Sequence, residues 1–183
     1  MTIMLKQMGF IFNADLCVGC KACEIACKNE NKTPAGVNWR RVSSTAEGVY
    51  LSLSCNHCDS PECFRICPQK AYSKRRDGIV FINNNRCDGC MDCVSACPYD
   101  APQFDTITRK ASKCIFCESR LLKGLDPACI VACSTGAIQM VNLNKGQSQG
   151  TVGMIDGFPD IRLTKPSIRF FPLQPRKRYW LQD

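Results

Sequence analysis

RCDGCMDCVSACP, residues 86–98, decides how the rest of the chain is read. Its cysteines, Cys87, Cys90, Cys93 and Cys97, are spaced C-x2-C-x2-C-x3-C and closed by Pro98. Two successive x2 steps wrap the backbone tightly around one point, and the x3 step suits one helical turn. Three more quartets flank this one. CVGCKACEIAC (17–27) repeats the spacing in Cys17, Cys20, Cys23 and Cys27, with Lys28 where the proline would stand. CNHCDSPECFRICP (55–68) spaces Cys55, Cys58, Cys63 and Cys67 as C-x2-C-x4-C-x3-C before Pro68. CIFCESRLLKGLDPACIVAC (114–133) spaces Cys114, Cys117, Cys129 and Cys133 as C-x2-C-x11-C-x3-C, followed by Ser134. All 16 cysteines of the 183 residues are used.

The quartets form an internal repeat. Residues 11–27 lie over 81–97, matching Asn13 with Asn83, Gly19 with Gly89 and Ala26 with Ala96. The second and fourth quartets are alike apart from the longer middle spacer of the fourth. The order reads as a duplicated two-motif unit.

Cysteine at this density in a short chain implies either a disulfide scaffold or a metal protein. Spacing favours the metal. Iron–sulfur cubanes take four cysteine thiolates each, and C-x2-C-x2-C-x3-C-P is the bacterial ferredoxin pattern. The sequence therefore predicts four [4Fe–4S] clusters. Zinc sites seldom add a third cysteine at the next x2 step and many use histidine, of which this chain has 1. Four repeated C-x2-C loops crowd neighbouring thiols too closely for a disulfide array. No zinc-finger C…H pattern points to nucleic acid, and none is expected as a partner.

The formal charge of +8 fits the same reading. An oxidised cubane with its four thiolates carries about −2, so four contribute about −8 and bring the loaded chain near neutrality. The apolar runs 9–12, 78–82 and 136–141 are far too short to span a bilayer. The pairs Arg40-Arg41 and Arg75-Arg76 lie too deep to act as a twin-arginine export signal. Membrane association is therefore expected only through partners.

Residues 8–13 read as a strand entering the first quartet, and 136–143 as a strand leaving the fourth. Asp77-Gly78 between apolar segments predicts a hairpin. The x3 stretches predict helical turns. Residues 29–54 read as a long excursion, 144–157 as a loop, and 158–183 as an extended basic–aromatic tail broken by prolines. In that tail Phe170, Phe171, Tyr179 and Trp180 interleave with Arg169, Arg176, Lys177 and Arg178. They can cover the chain's own core or dock a partner. His57 either packs within its loop or directs an N–H at a cluster sulfur. There is no nucleophile–base pair, phosphate loop or substrate-pocket signature. The chain is read as having no catalytic site of its own.

CVGCKACEIAC, SLSCNHCDSPECFRICP, RDGIVFINNNRCDGCMDCVSACPYDAPQFD, KCIFCESRLLKGLDPACIVAC and the ending TKPSIRFFP resemble the iron–sulfur subunit of the dimethyl sulfoxide reductase family, over roughly residues 8–172. The resemblance implies an electron-transfer subunit between a molybdopterin-bearing catalytic subunit and a membrane quinone/quinol-reactive subunit. Some relatives replace one cysteine of the third quartet with Trp and hold a three-iron cluster; Cys90 fills that place here. The expected side of the membrane is periplasmic, by co-export with the catalytic subunit, with the cytoplasmic side as the alternative. A cytoplasmic iron–sulfur accessory or maturation protein is the alternative function.

The expected fold class is α+β, with two ferredoxin-like modules, one inserted into the other, and a C-terminal tail. Quartets two and three are joined by the 71–82 hairpin. Strand 9–13 has no motif before it and strand 136–141 none after it, so pairing the two closes a second ferredoxin. The resemblance implies the same arrangement. Module A is residues 1–50 plus 106–157, module B 51–105, and the docking tail 158–183. In two-cluster ferredoxins the fourth cysteine ligates the other cluster. The expected ligand sets are Cys17, Cys20, Cys23 and Cys133; Cys55, Cys58, Cys63 and Cys97; Cys87, Cys90, Cys93 and Cys67; and Cys114, Cys117, Cys129 and Cys27.

Overall fold

The computed structural model describes residues 6–45, 48–146 and 148–174. The architecture is mixed α/β, with short strands and single-turn helices strung between the cysteine loops. In chain order the elements begin with β1 (Met8–Phe12), α1 (Ala22–Asn31), β2 (Arg40–Ser44), β3 (Tyr50–Ser54) and α2 (Glu62–Ile66). β4 (Tyr72–Lys74), β5 (Val80–Ile82), α3 (Asp92–Ala96), β6 (Gln103–Asp105) and β7 (Lys110–Ser112) follow. The last are α4 (Glu118–Leu121), α5 (Ala128–Val131), β8 (Ile138–Asn142) and β9 (Ile168–Phe170).

β1 is the middle strand of the main sheet. It pairs antiparallel with β8, Met8 opposite Asn142 and Phe12 opposite Ile138. On its other edge it pairs parallel with β9, Phe12 opposite Phe170. Three two-stranded ribbons, β2–β3, β4–β5 and β6–β7, complete the sheet structure among the described residues. The Asp77-Gly78 turn closes β4–β5 as read from the sequence. Residues 29–54, read as an excursion, instead contain the β2–β3 ribbon, five residues a side.

The larger core gathers Phe10, Phe12, Ile79, Phe116, Ile138 and Phe170 around the main sheet. A smaller one joins Tyr72, Val80 and Ala111 to Cys63 and Cys93. Isolated two-stranded ribbons are marginal in water. Here thiols are members of both cores, so these ribbons depend on whatever the thiols hold.

Residues 158–183 read as an extended tail, but the described part, to residue 174, is built into the molecule. Phe158 and Phe170 are buried, their ring centroids 4.8 Å apart. Phe170 also meets Phe12 edge-on at 6.4 Å. Fully burying such a ring contributes about 1.5–3 kcal/mol. The prolines forbid a helix there but leave residues 168–170 free to add a strand. Arg176, Lys177, Arg178, Tyr179 and Trp180 lie outside the described residues.

Candidate metal centres

Each x3 step sits on a helical turn, as its spacing requires. Cys23 and Cys27 lie in α1, Cys63 in α2 with Cys67 capping its end, and Cys93 in α3 with Cys97 capping its end. Cys129 lies in α5, with Cys133 just beyond. Residues four apart share a helix face but stand just over one turn, about 6 Å, apart along the axis. One turn can therefore send its two thiols to two neighbouring sites.

The thiols gather in that crossed manner. Cys17, Cys20, Cys23 and Cys133 line one pocket, with Ser52 and Thr135 in its wall. A second is lined by Cys55, Cys58, Cys63 and Cys97, together with Lys113 and Thr164. Around a third stand Cys67, Cys87, Cys90 and Cys93, beside Tyr72. In the fourth group Cys27 faces Cys129 and Cys117, and Cys114 faces Cys27 and Cys129. The Asn31 amide nitrogen bridges Cys27 Sγ at 3.7 Å and Cys117 Sγ at 3.8 Å.

Exposure divides the four groups into two kinds. Cys27, Cys114, Cys117 and Cys129 are all buried, as are Cys55, Cys58 and Cys63. The first and third pockets open outward, with Cys20 and Cys90 exposed. The two inner groups adjoin, since Cys114 also lies within electrostatic reach of Cys55. Burial pushes the Cys27 and Cys58 thiols up to about 12 and drives Cys63 and Cys114 higher still. Cys133 differs. Burial raises it too, but hydrogen bonds from the Thr135 hydroxyl and the Ile138, Ala137 and Thr135 amides outweigh that and leave it below the ordinary thiol range.

Two cations are buried among these thiols. Arg40 on β2 is 2 % exposed. Its Nη1 donates to the Ser52 carbonyl and hydroxyl, both at 3.1 Å, and its Nη2 to Ser54 Oγ at 2.9 Å. Its guanidinium carbon stands 4.9 Å from the Phe10 ring centroid. Lys113, fully buried, donates to the carbonyls of Val80 and Cys114. Among the described residues neither is in an ion pair with a carboxylate.

His57 is also wholly buried, and its Nδ1 accepts the Val80 amide at 3.1 Å. The ring proton therefore belongs on Nε2, which is buried and has no protein partner. Burial first, then Lys113, holds its pKa well below the usual value. Its ring packs against Phe116, centroids 5.3 Å apart, the first of the two roles the sequence leaves open for it.

These features fit a thiolate-bound, negatively charged group. Soft thiolates in fours are the donor set of iron–sulfur cubanes. Buried cations without acids, and a buried N–H without an acceptor, are costly unless an anion stands nearby. A wide cleft, about 800 Å³, lies elsewhere, among basic side chains such as Lys74, Arg76, Lys165 and Arg169. Its size does not make it the redox site, because no thiol lines it.

Residues 46–143 match the 4Fe-4S dicluster domain family, and residues 10–31 match the 4Fe-4S binding domain family. The probable anaerobic dimethyl sulfoxide reductase subunit YnfG of Escherichia coli (strain K12) is 36% identical, covering 92% of this chain and 90% of that one. The chain belongs to the iron–sulfur subunits of the dimethyl sulfoxide reductase family. The B subunit of polysulfide reductase from Wolinella succinogenes is 38% identical, covering 80% of this chain and 82% of its own length. The arsenate respiratory reductase iron-sulfur subunit ArrB of Shewanella sp. (strain ANA-3) is 30% identical, over 78% and 85%.

As a member of this family the chain is an electron-transfer subunit of a reductase complex and not its catalytic subunit. It has two 4Fe-4S ferredoxin-type domains and carries four [4Fe–4S] clusters, which supply one-electron redox chemistry. Sequence reasoning missed Arg40, Lys113 and Phe116. Arg40-Arg41 looks like any exposed basic pair. Only strand alternation could turn one of the two inward, and no apolar pattern in 29–54 marks β2.

Proposed function

We propose that this chain carries electrons between a molybdopterin-bearing catalytic subunit and a membrane quinone/quinol-reactive subunit. The outer–inner–inner–outer grading of the thiol groups carries the reading. The inner groups are shielded and adjoin one another, while each outer group has a cysteine at the surface where a partner can approach. Family membership adds the catalytic partner, because the relatives are named as components of reductases. Our reading is a complex held at the membrane, on the periplasmic side, with the cytoplasmic side as the alternative. No described helix is long and apolar enough to cross a membrane.

Four ligand sets follow: Cys17, Cys20, Cys23 and Cys133; Cys27, Cys114, Cys117 and Cys129; Cys55, Cys58, Cys63 and Cys97; and Cys67, Cys87, Cys90 and Cys93. The crossed pockets support them. The antiparallel β1–β8 pair supports an inserted arrangement, with the second and third quartets between the halves, although the expected boundaries 50/51 and 105/106 fall within β3 and between the paired strands β6 and β7. Docking by the tail would fall to its exposed part, since Phe158, Ile168 and Phe170 are buried in the core. The set containing Cys17 would lie nearest the catalytic subunit.

Cys133→Ser tests the sets. It should alter the paramagnetic resonance signal of the cluster held by Cys17, Cys20 and Cys23. If the signal belonging to Cys87, Cys90 and Cys93 changes instead, the groups pair in sequential order and this assignment is wrong.

A further inference from the structure

Arg40 is a charged residue that has no acidic partner among the described residues. Its partners, Ser52, Ser54 and the Phe10 ring, are neutral. Its Nε is buried with no partner. Those contacts could serve a neutral side chain of similar length, so they do not explain the charge. A guanidinium stays protonated even when buried, and an uncompensated buried cation is heavily penalised. The surroundings supply the compensation only if the thiols are ionised.

Geometry identifies which thiols these are. The Ser52 hydroxyl that accepts from Arg40 lies 3.3 Å from Cys23 Sγ, so a single hydroxyl joins the guanidinium to that thiol. The Phe10 ring beneath Arg40 stacks on Phe116 at 4.4 Å, and the Phe116 amide donates to Cys114 Sγ at 3.4 Å. Burial by itself would depress the guanidinium, but the nearby thiols of Cys129, Cys114, Cys23 and Cys27 outweigh it. Cys23 belongs to the first outer set. The other three belong to the adjoining inner set. Arg41, the next residue, points to the other face of β2, where it donates to the Tyr99 carbonyl at 2.9 Å.

We propose that Arg40 is the shared counter-charge of these two sites and raises the reduction potential of both. The proposal rests on the ligand sets given above. Adding one electron takes a four-thiolate [4Fe–4S] unit from about −2 to about −3. A fixed cation stabilises the more negative state, and one charge acting on both sites keeps their couples aligned. Arg40 touches no reacting atom; it is a positioning charge.

The test is a potentiometric titration of the iron-loaded chain in its complex, followed by paramagnetic resonance. Signals are assigned with Cys20→Ser and Cys117→Ser. Arg40→Gln should lower the one-electron reduction constant at both sites about tenfold, which is about 59 mV for a one-electron couple. Arg40→Lys, which keeps the charge, should recover most of that shift, and Arg41→Gln should leave both potentials in place. The proposal is overturned if Gln and Lys shift the potentials equally, if neither does, or if Arg41→Gln has the same effect as Arg40→Gln. Should Arg40→Gln lose iron from these sites, Arg40→Lys decides. Retained iron at native potentials supports the counter-charge, and loss in both variants makes the role one of packing. Cys133→Ser reports on the ligand sets independently, so an error there is distinguishable from an error about Arg40.

Discussion

In the two outer loops the residue before the second cysteine is glycine: Gly19, with φ 71°, and Gly89, with φ 82°. In the two inner loops the same position holds His57, with φ 44°, and Phe116, with φ 60°. Each loop needs a left-handed residue there. The outer loops have no room for more than glycine. A Cβ on Gly19 would meet the Tyr50 ring at 2.6 Å, and one on Gly89 the Arg109 carbonyl oxygen at 2.2 Å. The inner loops accept a left-handed L-residue, at roughly 1–2 kcal/mol, and turn its ring into the core. Burying a Phe ring contributes about 1.5–3 kcal/mol, enough to offset the strain. The two rings also pack the inner loops against each other. Outer loops hang on the fold; inner loops are part of its core.

Ligand loss should separate the two kinds most sharply. Cys20→Ser, at an outer loop, should cost about one cluster, or four iron atoms per chain. Cys114→Ser, at the centre of the core, should cost its whole module, about eight. Iron assay of anaerobically purified protein measures both. Equal losses would erase the distinction between outer and inner groups.

Trading the loop residues should have a smaller effect. Phe116→Gly relieves backbone strain but removes a ring whose loss typically costs about 3–5 kcal/mol. A net destabilisation of about 2–3 kcal/mol is expected. Gly89→Ala should cost about 1–3 kcal/mol through strain and the Arg109 contact. Anaerobic urea unfolding of the loaded protein would rank them. If Phe116→Gly were neutral, the inner ring would not be what holds the loop.

A further effect, of similar size, concerns pH. Burial and the nearby Lys113 hold the folded-state pKa of His57 well below its unfolded value near 6.5. Below that value the unfolded state binds a proton that the folded state refuses. Its contribution is thus complete above pH 6.5 and lost as pH falls, by about 1.4 kcal/mol per pH unit. Between pH 6.5 and 5 the native protein should lose stability more steeply than His57→Gln. Parallel slopes would mean that His57 takes up its proton when folded.

Much of this is legible in the sequence because cysteine spacing is a geometric statement. The x3 step requires a helical turn, and Asp77-Gly78 requires a hairpin. Strands β1 and β8 follow from apolar runs beside a quartet. What escapes has a common cause. Ser43, Ser44, Ser52 and Ser54 give β2–β3 a polar look, yet Ser52 and Ser54 are buried because they serve Arg40. Basic residues near the thiols count as exposed in any pattern that treats cysteine as neutral. The 158–174 segment looks like a tail because its aromatics are separated by prolines, although Phe158 and Phe170 bury themselves by long-range contact.

The placement of β1 has a consequence for synthesis. Its antiparallel partner emerges from the ribosome some 126 residues later, and its parallel partner later still. At about 5–20 residues per second that is a wait on the order of ten seconds. During it the second and third quartets are already complete, while Cys17, Cys20 and Cys23 stand without Cys133 and without the strand that holds β1 in place. A chain broken off before residue 133 would lack both the β8 strand that pairs with β1 and the fourth thiol of the pocket lined by Cys17, Cys20 and Cys23.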